Sequence, residues 1–69
     1  MALHMREQLI RAVIAHAQGE IEKHKANVNV YLEHPVGIGE HPDVIAAIDE
    51  QIGIAATAEE KLKYINGVK

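Results

Sequence analysis

Apolar residues recur every three or four positions between Met5 and Glu33, a stretch with one glycine and no proline. Seven positions, six apolar and one histidine, alternate in steps of four and three residues: Ile10, Ile14, Ala17, Ile21, His24, Val28 and Tyr31. This spacing keeps the seven side chains on one face of a helix, as in a coiled-coil seam. The pattern predicts one helix of about 28 residues, roughly 40 Å long. It should end near His34, because Pro35 disfavours helical geometry in the residue before it.

A second amphipathic stretch runs from about His41 to Ile65. The apolar positions that define it are Ile45, Ile48, Ile52, Ala55, Ala58, Leu62 and Ile65. Pro42 suits the first position of a helix, and the pair Asn66 and Gly67 predicts its end. The stretch therefore predicts a second long helix.

The second helix contains a weak point at Gly53. A glycine costs about 1 kcal/mol in a helix interior, and Thr57 followed three residues later by Glu60 is typical of a capping box. The alanines that follow Gly53 favour helix. The pattern therefore allows either a continuous helix or a break near Gly53.

The segment between the two helices carries Pro35 and two glycines, Gly37 and Gly39. A turn of about seven residues between long helices most simply gives an antiparallel hairpin. We therefore predict an all-α fold, a two-helix antiparallel hairpin. Apolar residues also lie outside the shared stripe, at Leu9, Val13, Val30, Leu32, Val44, Ile54 and Tyr64.

Two helices cannot cover all of these side chains, so we expect two hairpins to pair into a four-helix bundle dimer. Both a parallel and an antiparallel association of the hairpins remain open. The predicted interface consists of Ile10, Ile14, Ala17, Ile21, His24, Val28, Tyr31, Ile48, Ile52 and Leu62.

Length and composition also favour self-association. A chain of 69 residues buries only about 60% of the surface that its unfolded form exposes. Small proteins compensate with disulfides, a metal or oligomerisation, and this chain has no cysteine. A homo-oligomer, with a dimer preferred, is the expected solution.

The charge and the apolar runs limit the possible partners. A net charge of -3 provides no basic field for nucleic acid or anionic membranes. No apolar run approaches the roughly 20 residues that span a bilayer, so we expect a cytoplasmic protein. Residues 1–4, which precede a second methionine at Met5, resemble a cloning remnant, and residues 5–69 are interpreted as a single domain.

His16, Glu20 and His24 stand at successive four-residue spacings and could offer two imidazoles and a carboxylate to a divalent metal. Each step turns the row by about 40° around the helix, so the three groups do not form a flat claw. The sequence also indicates no fourth ligand. A histidine-based metal-binding protein is therefore the alternative function, and a solvated His16 with a structural His24 is the simpler interpretation.

His24 is the polar residue in an otherwise aliphatic seam. A single polar seam residue can fix the register and the number of partners. Because it is a histidine, it could also make the assembly sensitive to pH. Both roles remain open from the sequence.

Other chemistry finds little support in the chain. His41, Pro42 and Asp43 resemble the tripeptide that J-domain cochaperones place between two helices, but the basic helix that should precede it is missing. The chain has no cysteine, no serine, no phosphate-binding glycine loop and no HExxH motif. We expect no enzymatic activity and no cofactor.

The stretch from Ala15 to Ile48 resembles short uncharacterised proteins of tailed marine cyanophages and related phages. The resemblance rests on His16–Gly19, Ile21–Lys25, Val30–Leu32 and Gly37–Asp43. That group has two predicted helices and no assigned activity, cofactor or catalytic residue, so no functional residue is carried over. The chain departs from the group after about Asp49. The resemblance implies a phage or phage-infected cell and an accessory protein. We expect a structural or adaptor protein that binds a phage or host protein.

Overall fold

A computed structural model describes residues 2–34 and 43–68 of the chain. They form two helices, α1 (Ala2–Glu33) and α2 (Val44–Val68). The helices run antiparallel, because His24 near the end of α1 contacts Gln51 near the start of α2, while Arg6 at the beginning of α1 reaches the carbonyl of Val68. The predicted all-α, two-helix hairpin is confirmed. Its principal extents are 52 × 16 × 16 Å.

Helix α1 ends where the sequence predicts. Its last helical residue is Glu33, and the backbone N–H of His34 still donates to the carbonyl of Val30 at 2.7 Å. The helix begins at Ala2, three residues before the predicted start at Met5. Ala2 and Leu3 are strong helix formers, which favours this longer helix.

Helix α2 begins at Val44, so the predicted start at His41 was wrong. Asp43 provides the N-cap: its carboxylate oxygen Oδ1 accepts a hydrogen bond from the backbone N–H of Ala46 at 2.9 Å, and its carbonyl accepts one from Ala47 at 3.2 Å. An aspartate in this position satisfies an N–H group that has no partner within the helix. The predicted turn, and His41 and Pro42 of the tripeptide, lie outside the described residues.

Helix α2 continues through Gly53 to Val68. The possible break near Gly53 is therefore absent, and Asn66 and Gly67 do not end the helix. The alanines at positions 55, 56 and 58 have the highest helix propensity of all residues and offset the cost of the glycine.

The face of α2 that packs on α1 agrees with the predicted stripe at five of its seven positions and differs at the other two. Ile45 is 82% exposed and Ile52 is 49% exposed, so both lie outside the seam. The buried and half-buried positions of α2 are Val44, Ala47, Ile48, Gln51, Ile54, Ala55, Ala58, Leu62 and Ile65. The true seam steps by four and three residues through Gln51. Because Gln51 is polar, the apolar pattern favoured the neighbouring Ile52 as the seam residue.

The core between the helices is thin. Among the described side chains, Ala17 and Ala58 are each 3% exposed and His24 is 8% exposed, and no large side chain is fully buried. The other seam residues are half-buried. The hairpin therefore excludes water only along a narrow line through its middle.

Candidate functional site

A polar cluster of His24, Gln51, Asn27 and Glu20 crosses the seam at this narrow core. His24 Nδ1 lies 2.5 Å from Gln51 Oε1, and Asn27 Nδ2 donates to the same oxygen at 3.0 Å. The Gln51 oxygen therefore accepts one hydrogen bond from each of two α1 side chains. These contacts connect the two helices at one defined register.

The other ring nitrogen of His24 faces Glu20. His24 Nε2 lies 3.0 Å from Glu20 Oε2, and His16 Nε2 lies 3.7 Å from Glu20 Oε1. Each carboxylate oxygen thus faces its own imidazole, and Glu20 connects an exposed histidine to a buried one. The contact with His24 is an ion pair whenever the ring is protonated.

The row His16, Glu20 and His24 was the candidate metal site. Over the described ranges 2–34 and 43–68, no group of three or more histidine, aspartate or glutamate residues is arranged to hold a metal ion. The row instead forms a chain of contacts along one helix. The metal hypothesis therefore gains no support from the geometry of this part of the molecule.

The polar cluster leaves no unpaired atom among the buried side chains that the structure describes. A shift of one helix by one turn would place His24 opposite Ile48 or Ala55, neither of which can accept a hydrogen bond from the ring. An unpaired buried donor costs about 1–3 kcal/mol. The arrangement therefore favours the register-setting interpretation of His24, with Gln51 as the partner that the sequence did not indicate.

The predicted interface residues fall into two groups in the structure. Nine of the ten are buried or half-buried positions of the hairpin itself: Ile10, Ile14, Ala17, Ile21, His24, Val28, Tyr31, Ile48 and Leu62. Ile52 remains largely exposed. Contacts within one chain thus occupy most of the surface that was predicted to join two chains.

Two open grooves flank the seam on opposite sides. On α1, Glu20 lies on one side of the seam and Lys25 on the other. The two residues are five positions apart, and five residues rotate a helix by one full turn and about 140° more. The larger groove, about 520 Å³, is lined by His16, Ala17, Glu20, Glu50, Gly53, Ile54, Thr57, Ala58 and Lys61. We call this side of the hairpin the His16 face.

The second groove, about 340 Å³, lies on the other side and is lined by Ile21, Lys25, Val28, Asn29, Ile52, Ala55, Ala56 and Glu59. We call this side the Ile52 face. Leu32, one turn after Val28, and Ile45, two turns before Ile52, extend it toward the end of the hairpin where the chain reverses. Both of these side chains are exposed.

Large apolar side chains remain exposed on both faces. The described residues of this kind are Met5, Leu9, Val13, Val30, Leu32, Ile45, Ile52, Tyr64 and Val68. Isolated exposed apolar residues are normal in folded proteins, but clusters of them mark interaction surfaces. The candidate functional site is therefore an open, partly apolar surface rather than an enclosed pocket.

Within residues 2–34 and 43–68, neither helix contains a segment long and apolar enough to cross a membrane. Comparisons with protein-family models, with curated proteins and with solved structures give no match to this chain. The function must therefore be argued from the hairpin and its surfaces.

Proposed function

We propose that this chain works as a self-associating helical hairpin, two copies of which pair into a four-helix bundle. The observation that carries the proposal is the thin core. The buried side chains among those described are two alanines, each 3% exposed, and His24, 8% exposed, while nine large apolar side chains are at least 45% exposed. Two antiparallel helices offer each other one face only, and a second hairpin covers part of what that contact leaves exposed.

The exposed area supports the same proposal. The chain exposes 5575 Å², whereas a compact folded protein of its mass exposes about 4,300 Å². The excess, about 1,300 Å² per chain, is larger than the roughly 800 Å² that each partner contributes to a typical stable interface. A typical interface with one further copy would therefore cover more than half of this excess.

In this proposal the dimer serves as an accessory or adaptor protein that binds another protein. Tyr64 supports a second contact surface, because it is 76% exposed on α2 near Val68, and tyrosine is enriched at protein interfaces. The phage or host identity of that partner rests on the sequence resemblance alone. In a pull-down, we expect the unmodified chain to recover one defined partner. We expect the Tyr64→Ser variant to lose that partner.

Native mass spectrometry tests the self-association. The expected species has twice the 7.6 kDa mass of the chain and carries no metal. A folded monomer at all concentrations would contradict the proposal. Stoichiometric zinc, nickel or iron would instead revive the metal-binding alternative.

A further inference from the structure

We propose that the second copy docks on the Ile52 face, with the connecting turns of the two hairpins at opposite ends of the bundle. In this arrangement Lys25 of each copy lies at the level of Glu59 of the other, across the groove. The inference rests on the proposed self-association, and it names the surface and the orientation through which the association occurs.

The charge content of the two grooves selects the face. The groove of the His16 face contains four titratable side chains: His16, Glu20, Glu50 and Lys61. The groove of the Ile52 face contains only Lys25 and Glu59, and its other lining residues are aliphatic or small except for Asn29. The buried core of a protein interface is depleted of charged residues. The Ile52 face therefore suits a copy of the same chain better.

The apolar surface of the Ile52 face is long enough for a helical partner. Ile45 and Ile52 lie two turns apart on α2, and Leu32 lies on the α1 side of the same face. Ala55 and Ala56 line the groove on the side of these apolar residues that is nearer to the chain termini. Because these side chains are small, the helices of a second copy can approach closely at this level.

The orientation follows from the positions of Lys25 and Glu59. The contact between His24 and Gln51 places Lys25 at the level of residue 50 of α2. Glu59 is nine residues further along α2, about 13 Å at 1.5 Å per residue. The midpoint between the two charges falls close to Ala55.

A two-fold axis that lies in the plane of the interface at the level of Ala55, perpendicular to the helices, places α1 of the partner above α1 of the first copy. The same rotation exchanges the levels of Lys25 and Glu59, so it produces two opposite-charge pairs across the interface. The small residues then lie at the axis, where the helices approach each other most closely. A homodimer interface of this kind is self-complementary, as two-fold symmetry requires.

The first test compares Ile52→Asp with Val13→Asp. The two parent side chains are 49% and 47% exposed and both are β-branched, but Val13 lies two turns before Glu20 on the His16 face. We expect Ile52→Asp to raise the dissociation constant of the dimer at least about a hundredfold. We expect Val13→Asp to leave it within about threefold of the unmodified value. Sedimentation velocity measures both constants.

The second test exchanges charges and does not depend on the apolar surface. In the proposed orientation, Lys25→Glu alone and Glu59→Lys alone each place like charges together twice, so each variant should dimerise about tenfold more weakly. An equimolar mixture of the two variants restores both opposite-charge pairs. Random mixing would make half of all dimers mixed. Native mass spectrometry should therefore show that mixed dimers make up more than this half.

The outcomes separate this inference from the proposed function. A dimer that is lost with Val13→Asp and kept with Ile52→Asp would overturn the face, while self-association would stand. A dimer that requires Ile52 but forms mixed species only in the statistical ratio would overturn the orientation. An unmodified chain that stays monomeric would overturn both.

Discussion

His24 and Gln51 form the hydrogen bond that connects the two helices through the least exposed part of the seam. His24 Nδ1 and Gln51 Oε1 are 2.5 Å apart, and the same oxygen accepts from Asn27. In a seam of aliphatic side chains, this contact specifies which residues of α1 and α2 lie opposite each other. We expect this contact to contribute more to the register of the hairpin than to its stability, because a buried polar contact is balanced by the desolvation of its groups.

We predict that Gln51→Leu lowers the free energy of unfolding by about 1–3 kcal/mol, because it leaves His24 Nδ1 without a hydrogen-bond partner. Urea denaturation followed by circular dichroism measures the change. The double variant His24→Leu with Gln51→Leu should recover the stability, since two apolar groups then face each other. If the single variant were as stable as the unmodified chain, the hydrogen bond would have no structural role.

The same double variant should lose the unique register of the hairpin. Without the polar pair, neighbouring registers differ only in aliphatic contacts. A two-dimensional amide NMR spectrum should show more than one peak for seam residues such as Ala17 and Ala58. A single sharp set of peaks from a stable double variant would show that the apolar residues specify the register by themselves.

We predict that Asp43→Ala destabilises the protein by about 1 kcal/mol, because the N–H of Ala46 loses its capping oxygen. Asp43→Asn, which retains a capping oxygen, is the matched control and should cost only a few tenths of a kcal/mol. Thermal unfolding of the two variants under identical conditions provides the comparison. Equal losses in both would indicate that the carboxylate charge, rather than the cap, is the stabilising feature.

We predict that Gly53→Ala stabilises α2 by about 1 kcal/mol. A Cβ atom at this position meets no atom within 4 Å, and the exchange also reduces the conformational freedom of the unfolded chain. Gly19→Ala, at the equally open position on α1, is the control for the effect of propensity alone. Because Gly53 lines the groove of the His16 face, dissociation of the dimer by Gly53→Ala alone would show that the partner occupies that groove.

The sequence predicted the two helices, the hairpin and the end of α1, because a regular apolar stripe and a proline are local signals. It failed on the start of α2, where Pro42 seemed the natural first residue and the capping oxygen of Asp43 determines the boundary instead. It also chose the wrong face at the start of α2. Ile45 and Ile52 are as apolar as the true seam residues, and the true face includes Gln51, which pairs with His24.

The candidate site shows the same limit. His24 stood out in the sequence because it interrupts an aliphatic stripe, and it is indeed the buried polar residue of α1. Gln51 gave no such signal, since it lies between two residues that mark a different stripe. The polarity of a seam position on one helix can be recognised from spacing, whereas the identity of its partner depends on the register between the helices.

Sedimentation equilibrium of the unmodified chain over about 1–100 μM is the most direct test of the central claim, that the hairpin is completed by a second copy. We predict a mass of twice 7.6 kDa at the upper concentrations, with dissociation on dilution accompanied by a loss of helical circular dichroism. A mass of 7.6 kDa at every concentration, with full helical content, would contradict the claim.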